Sequence, residues 1–325
     1  MSLDAVCLRP KVDFTRVGVT PPEDLSIDYR APDDPALPGI LREARALVIP
    51  AVGPKLAPEL FEGAGIRLVQ VTGAGVDRLD QPALVARGIP VANVPGGSNG
   101  ALAEYAVTSA ATLLRRLAWS TLEIRRGNYA PFRARMLADN VGGLEGCLVG
   151  LIGYGVIGRA VAAGFLAAGA DVAFYDPAFP PGGDPGVAAR PMGFEEILAK
   201  ADVVSLHVPL IPATQGLIGA DALARMKPGV ILINAARGGI VDEAALVQAL
   251  ASGHVGGAAV DVYSTEPPGA DNPLLQVAGE AADRLLLTPH IAGVTRQSAQ
   301  YLFRAAWDNV QRVVKRGELP ANRVY

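Results

Sequence analysis

Cysteine and histidine are scarce, at two and three in 325 residues. Cys7 and Cys147 lie far apart in apolar, strand-like stretches with no metal ligand beside either, which argues against a disulfide framework or a cysteine metal site and for two buried free thiols. Charge of one sign is also missing. The 29 basic and 32 acidic residues leave a net charge of −3, and the basic residues are scattered, so there is no stripe for a nucleic-acid backbone. No uninterrupted apolar run reaches the length of a membrane span, and an N-terminus with Asp4, Arg9, Lys11 and Asp13 forms no signal-peptide core; the expected location is the cytoplasm. Solenoid repeats and low-complexity tails are absent. What remains is a chain half apolar in composition and long enough for two domains.

Glycine is abundant, with 37 residues, and one cluster stands out. Leu148–Ile152 has the length and branched content of a buried parallel strand, and Val156 onward repeats apolar side chains at helical spacing. Gly153-Tyr154-Gly155-Val156-Ile157-Gly158 therefore sits at a strand-to-helix turn. Gly153 permits the turn, Gly155 lets a pyrophosphate approach, and Gly158 lets helix and strand pack closely. The phosphates would rest on the helix N-terminus, where free N–H groups favour anions. A second strand, Asp171–Tyr175, ends at Asp176, about 20 residues past the glycines, where a dinucleotide fingerprint expects its acid. Asp176 can accept both ribose hydroxyls of NAD and would repel the 2′-phosphate of NADP. The alternative is a solvated strand-end carboxylate before the turn-former Pro177.

Before this turn the pattern alternates strand and helix. Strands are expected at 5–8, 46–49, 67–72 and 90–94, and helices at 40–45, near 58–61 and at 82–87, with loop at 31–38. The stretch 95–100 reads as a flexible junction. A single long helix is expected from Ala101 to about Arg126, apolar on most sides and able to bury surface against more than one neighbour, a second subunit included. Strands near 172, 203, 231, 257 and 285 complete a second alternation. A last helix over 296–315, with Tyr301, Leu302, Ala305, Val310 and Val313 as anchors, is expected to return to the first unit.

The histidines narrow the search for chemistry. His254 has a helix-end context and reads as a surface residue. His207 follows strand 203–206 and precedes Val208-Pro209 at the carboxyl edge of a parallel sheet, where open α/β sheets bind ligands; it reads as cofactor wall or as packing. His290 follows strand 285–287 at the same kind of edge, and Gly293 beyond it allows close approach of a backbone or ring. Arg237 follows strand 229–234, beside glycines that keep the backbone clear, and suits bidentate capture of a carboxylate. Glu266 follows strand 258–262.

Residues 234–247, the run Asp261-Val262-Tyr263-Ser264-Thr265-Glu266-Pro267, and Thr288–Gly293 resemble signatures of the D-isomer-specific 2-hydroxyacid dehydrogenase family. Residues 73–80 and Ala103-Glu104 resemble its substrate-domain and linker motifs. The resemblance implies an α/β chain of two Rossmann-like doubly wound parallel-sheet domains. A discontinuous, flavodoxin-like substrate domain would span 1–100 and 296–325, and an NAD-binding domain 101–295. It implies an NAD-dependent enzyme moving hydride between nicotinamide C4 and C2 of a small 2-keto or 2-hydroxy acid. His290 would be the acid–base group, Glu266 would fix its tautomer and favour its cation, and Arg237 would bind the substrate carboxylate and polarise the carbonyl. Backbone N–H groups of Gly73, Ala74, Gly75 and Val76 would hold the remaining carboxylate oxygen, with the substrate between domains and closure excluding water. Cofactor contacts implied are Gly153 to Gly158, Asp176, His207 to Pro209, Thr214, Ala235, Ala236, Arg237, Asp261, His290 and Gly293. Asp261 would lie near the nicotinamide amide, or merely cap its strand. No metal is implied, and a homodimer through the 101–126 region is.

The stretch 209–214 with the Arg-Gly-Gly-Ile-Val-Asp-Glu run is most similar to the phosphoglycerate dehydrogenase branch. Against that branch stand the expected lack of further C-terminal domains and a loop, 50–54, without the arginine often supplied there to a phosphate; Lys55 is the nearest cation. A charge-assisted contact of that kind contributes about 1.5–3 kcal/mol, so hydroxypyruvate or glyoxylate is the favoured substrate. An NAD-sensing corepressor is the alternative of another class. Formate dehydrogenases usually carry glutamine at the position of Glu266.

Overall fold

The structure, a computed structural model, describes residues 3–325. Two compact units divide the chain, Met1–Ser98 with Val294–Tyr325, and Asn99–Gly293.

In the first unit, β1 (Leu3–Cys7), α1 (Lys11–Arg16), β2 (Ile27–Tyr29), α2 (Leu37–Glu43), β3 (Ala44–Ile49), β4 (Leu68–Val71), α3 (Gln81–Ala86) and β5 (Val91–Ala92) follow in order. The sheet is parallel throughout with order β2-β1-β3-β4-β5, the flavodoxin-like arrangement. Its strands are near-continuous apolar runs because both faces are covered. Gln70 breaks the run on β4 and is matched by another buried amide, Asn309, whose Nδ2 donates to its Oε1 at 2.6 Å. The stretch 58–61 is a 3-10 turn rather than an α-helix, and α2 begins and ends earlier than expected. α1 and β2 form where no element was expected.

The second unit contains α4 (Asn99–Leu114), α5 (Leu117–Arg125), α6 (Tyr129–Ala138), β6 (Leu148–Ile152), α7 (Val156–Ala167), β7 (Asp171–Tyr175), β8 (Arg190–Pro191), α8 (Phe194–Lys200), β9 (Val203–Leu206), α9 (Ala220–Arg225), β10 (Val230–Asn234), α10 (Glu243–Ala251), β11 (Val255–Val260), α11 (Glu280–Asp283) and β12 (Leu285–Leu287). Its parallel sheet has the order β12-β11-β10-β9-β6-β7-β8. The direction of winding reverses between β6 and β9, and ligands of such sheets bind outside the carboxyl ends at that reversal.

The long helix expected over 101–126 is broken. Arg116 takes a left-handed conformation, φ 50°, ending α4 and restarting the chain as α5, and α6 follows where no element was expected. The apolar pattern continues through the break, so hydrophobicity alone does not reveal it. α12 (Arg296–Val314) belongs to the first unit, where Phe303 and Trp307 pack on Phe14 at centroid distances of 4.7 and 5.2 Å. Tyr301 is no anchor of this helix: it is 57% exposed, because the buried stripe runs through Leu302, Phe303, Ala306 and Val310. Both thiols are buried and unpaired, and burial pushes each up to about 12.

Candidate active site

The glycine turn is built as its spacing requires. Gly153 has φ 97°, and a Cβ there would lie 2.5 Å from the carbonyl oxygen of His207, so β6 and β9 can exit side by side only with glycine at this point. A Cβ on Gly158 would meet the Gly153 carbonyl oxygen at 2.3 Å, which is the close helix–strand approach. A Cβ on Gly155 would meet nothing within 4 Å, so this backbone, at the N-terminus of the twelve-residue α7, stands open. Asp176 ends β7 half-buried. Its Oδ2 accepts from the Tyr154 N–H at 2.8 Å and its Oδ1 from Ala178 N–H at 2.9 Å, which orients the carboxylate and leaves lone pairs on both oxygens. The Tyr154 side chain turns inward, stacked on Phe174 with centroids 3.7 Å apart and its hydroxyl donating to the Pro185 carbonyl; only its backbone lies in the turn. Val156 is exposed and Ile157 half-buried.

His207 is half-buried, with Nε2 2.9 Å from Ser205 Oγ, and burial lowers it to about 4, so the ring is neutral. Val208 packs toward Gly153. Thr214 spends its hydroxyl locally, donating to the Pro209 carbonyl at 2.6 Å and accepting from Ile211 N–H at 2.9 Å, and so shapes the 209–214 loop. Ala235 and Ala236 follow β10, where Asn234 braces the turn: its Oδ1 accepts from Ala236 N–H and its Nδ2 donates to the Arg237 carbonyl, both at 3.2 Å. Arg237 is half-buried with Nη1 donating to the Ala236 carbonyl at 2.7 Å. His254, expected at the surface, is half-buried, and its Nε2 is enclosed without a hydrogen-bond partner.

The densest geometry surrounds Asp261, at the end of β11 and 1% exposed. Its Oδ1 accepts from Thr288 Oγ1 at 2.6 Å and Ile291 N–H at 2.8 Å, and its Oδ2 from Ala292 N–H at 2.9 Å. Its carbonyl accepts from His290 N–H at 2.8 Å. These bonds tie the strand end to the 288–292 loop. That grip holds His290 at φ 56°, a region costly for a non-glycine residue and found where the surroundings over-determine the backbone. His290 Nδ1 lies 2.8 Å from Glu266 Oε2, while Glu266 Oε1 accepts from Tyr263 N–H at 3.1 Å. A carboxylate on Nδ1 favours the tautomer that carries its proton on that nitrogen. Thr288 is further braced by Tyr105 Oη at 2.8 Å and by the Tyr263 hydroxyl, which donates to its carbonyl at 3.0 Å. The sequence reading missed Tyr105, Tyr263 and Thr288 as parts of this assembly, although Thr288 and Tyr263 stood inside quoted motifs.

The Gly73–Val76 turn lies in the first unit, just past β4 at that sheet's carboxyl edge. A Cβ on Gly73 would touch the Ala51 methyl at 2.7 Å, so the 72–76 and 50–54 loops abut. The 50–54 loop is held by Arg78 rather than by Lys55: Nε donates to the Pro54 carbonyl at 2.8 Å and Nη1 to the Pro50 carbonyl at 2.9 Å, with the side chain buried. Among the described residues no group of three or more histidine, cysteine, aspartate or glutamate side chains is placed to hold a metal, and no helix is long and apolar enough to cross a membrane.

Residues 107–292 match the family described as D-isomer specific 2-hydroxyacid dehydrogenase, NAD binding domain. The (S)-sulfolactate dehydrogenase of Chromohalobacter salexigens is 40% identical over 251 residues, 77% of this chain and 78% of that one. The D-3-phosphoglycerate dehydrogenase of Mycobacterium leprae is 36% identical over 269 residues, 82% of this chain and 48% of that one; the chain spans about half the length of such relatives. Among solved structures, a glyoxylate reductase from Paecilomyes thermophila is similar with a TM-score of 0.80 and 26% identity, covering 99% of this chain and 98% of that one.

Asp261→Asn must turn an amide NH2 toward an N–H or hydroxyl donor. It is expected to cost about 1–3 kcal/mol, the penalty for a buried unsatisfied group, read as a lower denaturant midpoint; an unchanged midpoint would count against the role assigned to this carboxylate. His207 gives a pH signature. Its folded value of about 4 lies below the unfolded 6.5, so the unfolded chain binds more protons between them. Its contribution is therefore whole above 6.5 and is lost as pH falls toward 4. Wild type should lose more stability than His207→Gln between about pH 8 and about pH 5; equal losses would show that His207 is not coupled to folding.

Proposed function

The chain belongs to the D-isomer-specific 2-hydroxyacid dehydrogenase family, and from that premise we propose that it is an NAD-dependent oxidoreductase acting on a small D-2-hydroxy acid and its 2-keto partner. The observation that carries this reading is the buried Asp261 carboxylate holding His290 in a left-handed conformation against Glu266. The open backbone at Gly155, the helix N-terminus behind it and the oriented Asp176 carboxylate suit a dinucleotide with an unmodified ribose. Bound there, NAD supplies the hydride acceptor or donor.

The chain's own residues do the rest. His290 Nε2 gives a proton to the keto oxygen on reduction and removes one from the hydroxyl on oxidation. Glu266 on Nδ1 fixes the tautomer and keeps the ring in place. Arg237 binds the substrate carboxylate and draws charge toward the carbonyl oxygen. The N–H groups of Gly73, Ala74, Gly75 and Val76 are assigned to the carboxylate's other oxygen, which makes the first unit the substrate-binding one and the second the NAD-binding one. His207 to Pro209, Thr214, Ala235, Ala236 and Gly293 shape the cofactor wall.

Hydroxypyruvate or glyoxylate is the favoured keto acid. The 50–54 loop contains no arginine to meet a phosphoryl group, and Arg78, which holds that loop, is buried with Nε and Nη1 on its carbonyls. D-3-phosphoglycerate is the second reading, favoured by the phosphoglycerate dehydrogenases among the relatives. A homodimer through the 101–126 region is supported by the apolar side chains that α5 leaves exposed there, Leu117, Leu122 and Ile124.

NADH and NADPH oxidation across a panel of 2-keto acids, with wild type and His290→Ala in parallel, tests the chemistry. Turnover with NADH that falls by about 10²–10⁴ in the variant is expected, the range for loss of a general acid. Faster kcat/KM on D-3-phosphoglycerate than on any unphosphorylated acid would move the substrate assignment, and NADH binding without turnover would favour a binding role. For the dimer, the native mass should be twice the 33.6 kDa of the chain; a single chain mass removes it.

A further inference from the structure

Glu243 stands at the first position of α10, beyond the sheet edge and outside every contact so far assigned. Asp242 already caps this helix, its side chain accepting from Ala245 N–H at 3.0 Å, so Glu243 is released from capping its own N-terminus. It reaches across instead to the loop that carries Glu266. Its Oε1 accepts from Ser264 N–H at 2.7 Å, and its Oε2 accepts from Ser264 Oγ at 2.9 Å and from Asn272 Nδ2 at 2.8 Å. One half-buried carboxylate thus fastens both ends of the segment 264–272, with Glu266 between them.

The same loop is fixed from its other side by backbone. A Cβ on Gly238 would lie 1.7 Å from the Tyr263 carbonyl oxygen, so the turn carrying Arg237 presses directly on residue 263. Glu266 returns a bond to the Tyr263 N–H and presents its other oxygen to His290. The chain of contacts runs from α10 through Ser264 and Tyr263 to Glu266 and then to the imidazole. Among the described residues no other side chain is seen to hydrogen-bond the Ser264 N–H or its hydroxyl.

We propose that Glu243 is a positioning residue for the acid–base pair: by holding Ser264 and Asn272 it sets where the Glu266 carboxylate meets His290 Nδ1, and it locks that loop to the turn bearing Arg237. Glu243 touches neither substrate nor cofactor and acts through Glu266. The inference rests on the acid–base reading of Glu266 and His290 above. It predicts that loss of Glu243 lowers kcat, because misplacement of a reacting group by about an ångström can cost up to 10²-fold in rate, and that KM for NADH and for the keto acid changes little.

The test is a double-mutant cycle in the full chain, read as kcat and KM for reduction of the best keto acid of the panel, with thermal midpoints measured alongside. Glu243→Ala should lower kcat about tenfold or more in the wild-type background. It should add less than about twofold once Glu266→Gln is present, because partners acting as one unit are not additive. Glu243→Gln, which retains an acceptor for Ser264 N–H, should recover part of the loss. Should Glu243→Ala not fold, Ser264→Ala removes a single bond and should show a smaller loss in kcat that also vanishes beside Glu266→Gln. Equal factors in both backgrounds, or a loss confined to KM, would overturn the positioning role while leaving the acid–base assignment standing. An inert Glu266→Gln would overturn both.

Discussion

A buried carboxylate is costly unless donors surround it, and Asp261 is surrounded. Thr288, Ile291 and Ala292 supply a hydroxyl and two N–H groups, and the His290 N–H binds its carbonyl. These bonds offset both the desolvation of the carboxylate and the left-handed backbone at His290, so two unfavourable local features stabilise each other. Remove the carboxylate and the loop has no reason to turn there. The position of His290, and with it the proton chemistry assigned to this edge, depends on that exchange.

Carboxylates recur along the same edge with separate tasks. Asp176 orients itself on the glycine turn, Asp242 caps α10, Asp261 shapes the histidine loop, and Glu266 meets the imidazole. Helix N-termini and loop N–H groups converge at the carboxyl ends of parallel strands, so acceptors are needed there for structure before any ligand is considered. The acids that tie loops to loops are placed by the same rule as the acids that do chemistry. Position at the edge therefore does not separate the two kinds; hydrogen-bond partners do.

The first sheet is used differently. Its carboxyl edge is lined with glycine, proline and the buried Arg78, whose guanidinium serves the carbonyls of Pro50 and Pro54. Such an arginine fixes loop shape without presenting charge outward. In the Gly73–Val76 turn beside it, Gly73 packs so closely on the Ala51 methyl that no side chain fits there.

Short-range regularities were legible in the residues themselves. Apolar runs of four to six residues announced most of the strands, and the three glycines announced the tight turn from β6 into α7, because turn geometry and two-sided burial are decided within a few positions. Arg237, Glu266 and His290 were singled out by place, each just past a strand. The break at Arg116 and the helix at Tyr129–Ala138 were not legible, since a left-handed residue leaves the hydrophobic pattern intact. Nor was the exposure of Tyr301 or the inward turn of Tyr154, for an aromatic ring at the rim of a stripe can face either way. The sequence by itself determined the two parallel sheets and which residue types stand at their edges. Only the tertiary structure decided that Glu266 meets an imidazole 24 positions away, that Asp261 spends its oxygens on the loop 288–292, and that Glu243 reaches Ser264. Those pairings follow from the register between neighbouring strands and the paths of the loops leaving them, which no local pattern encodes.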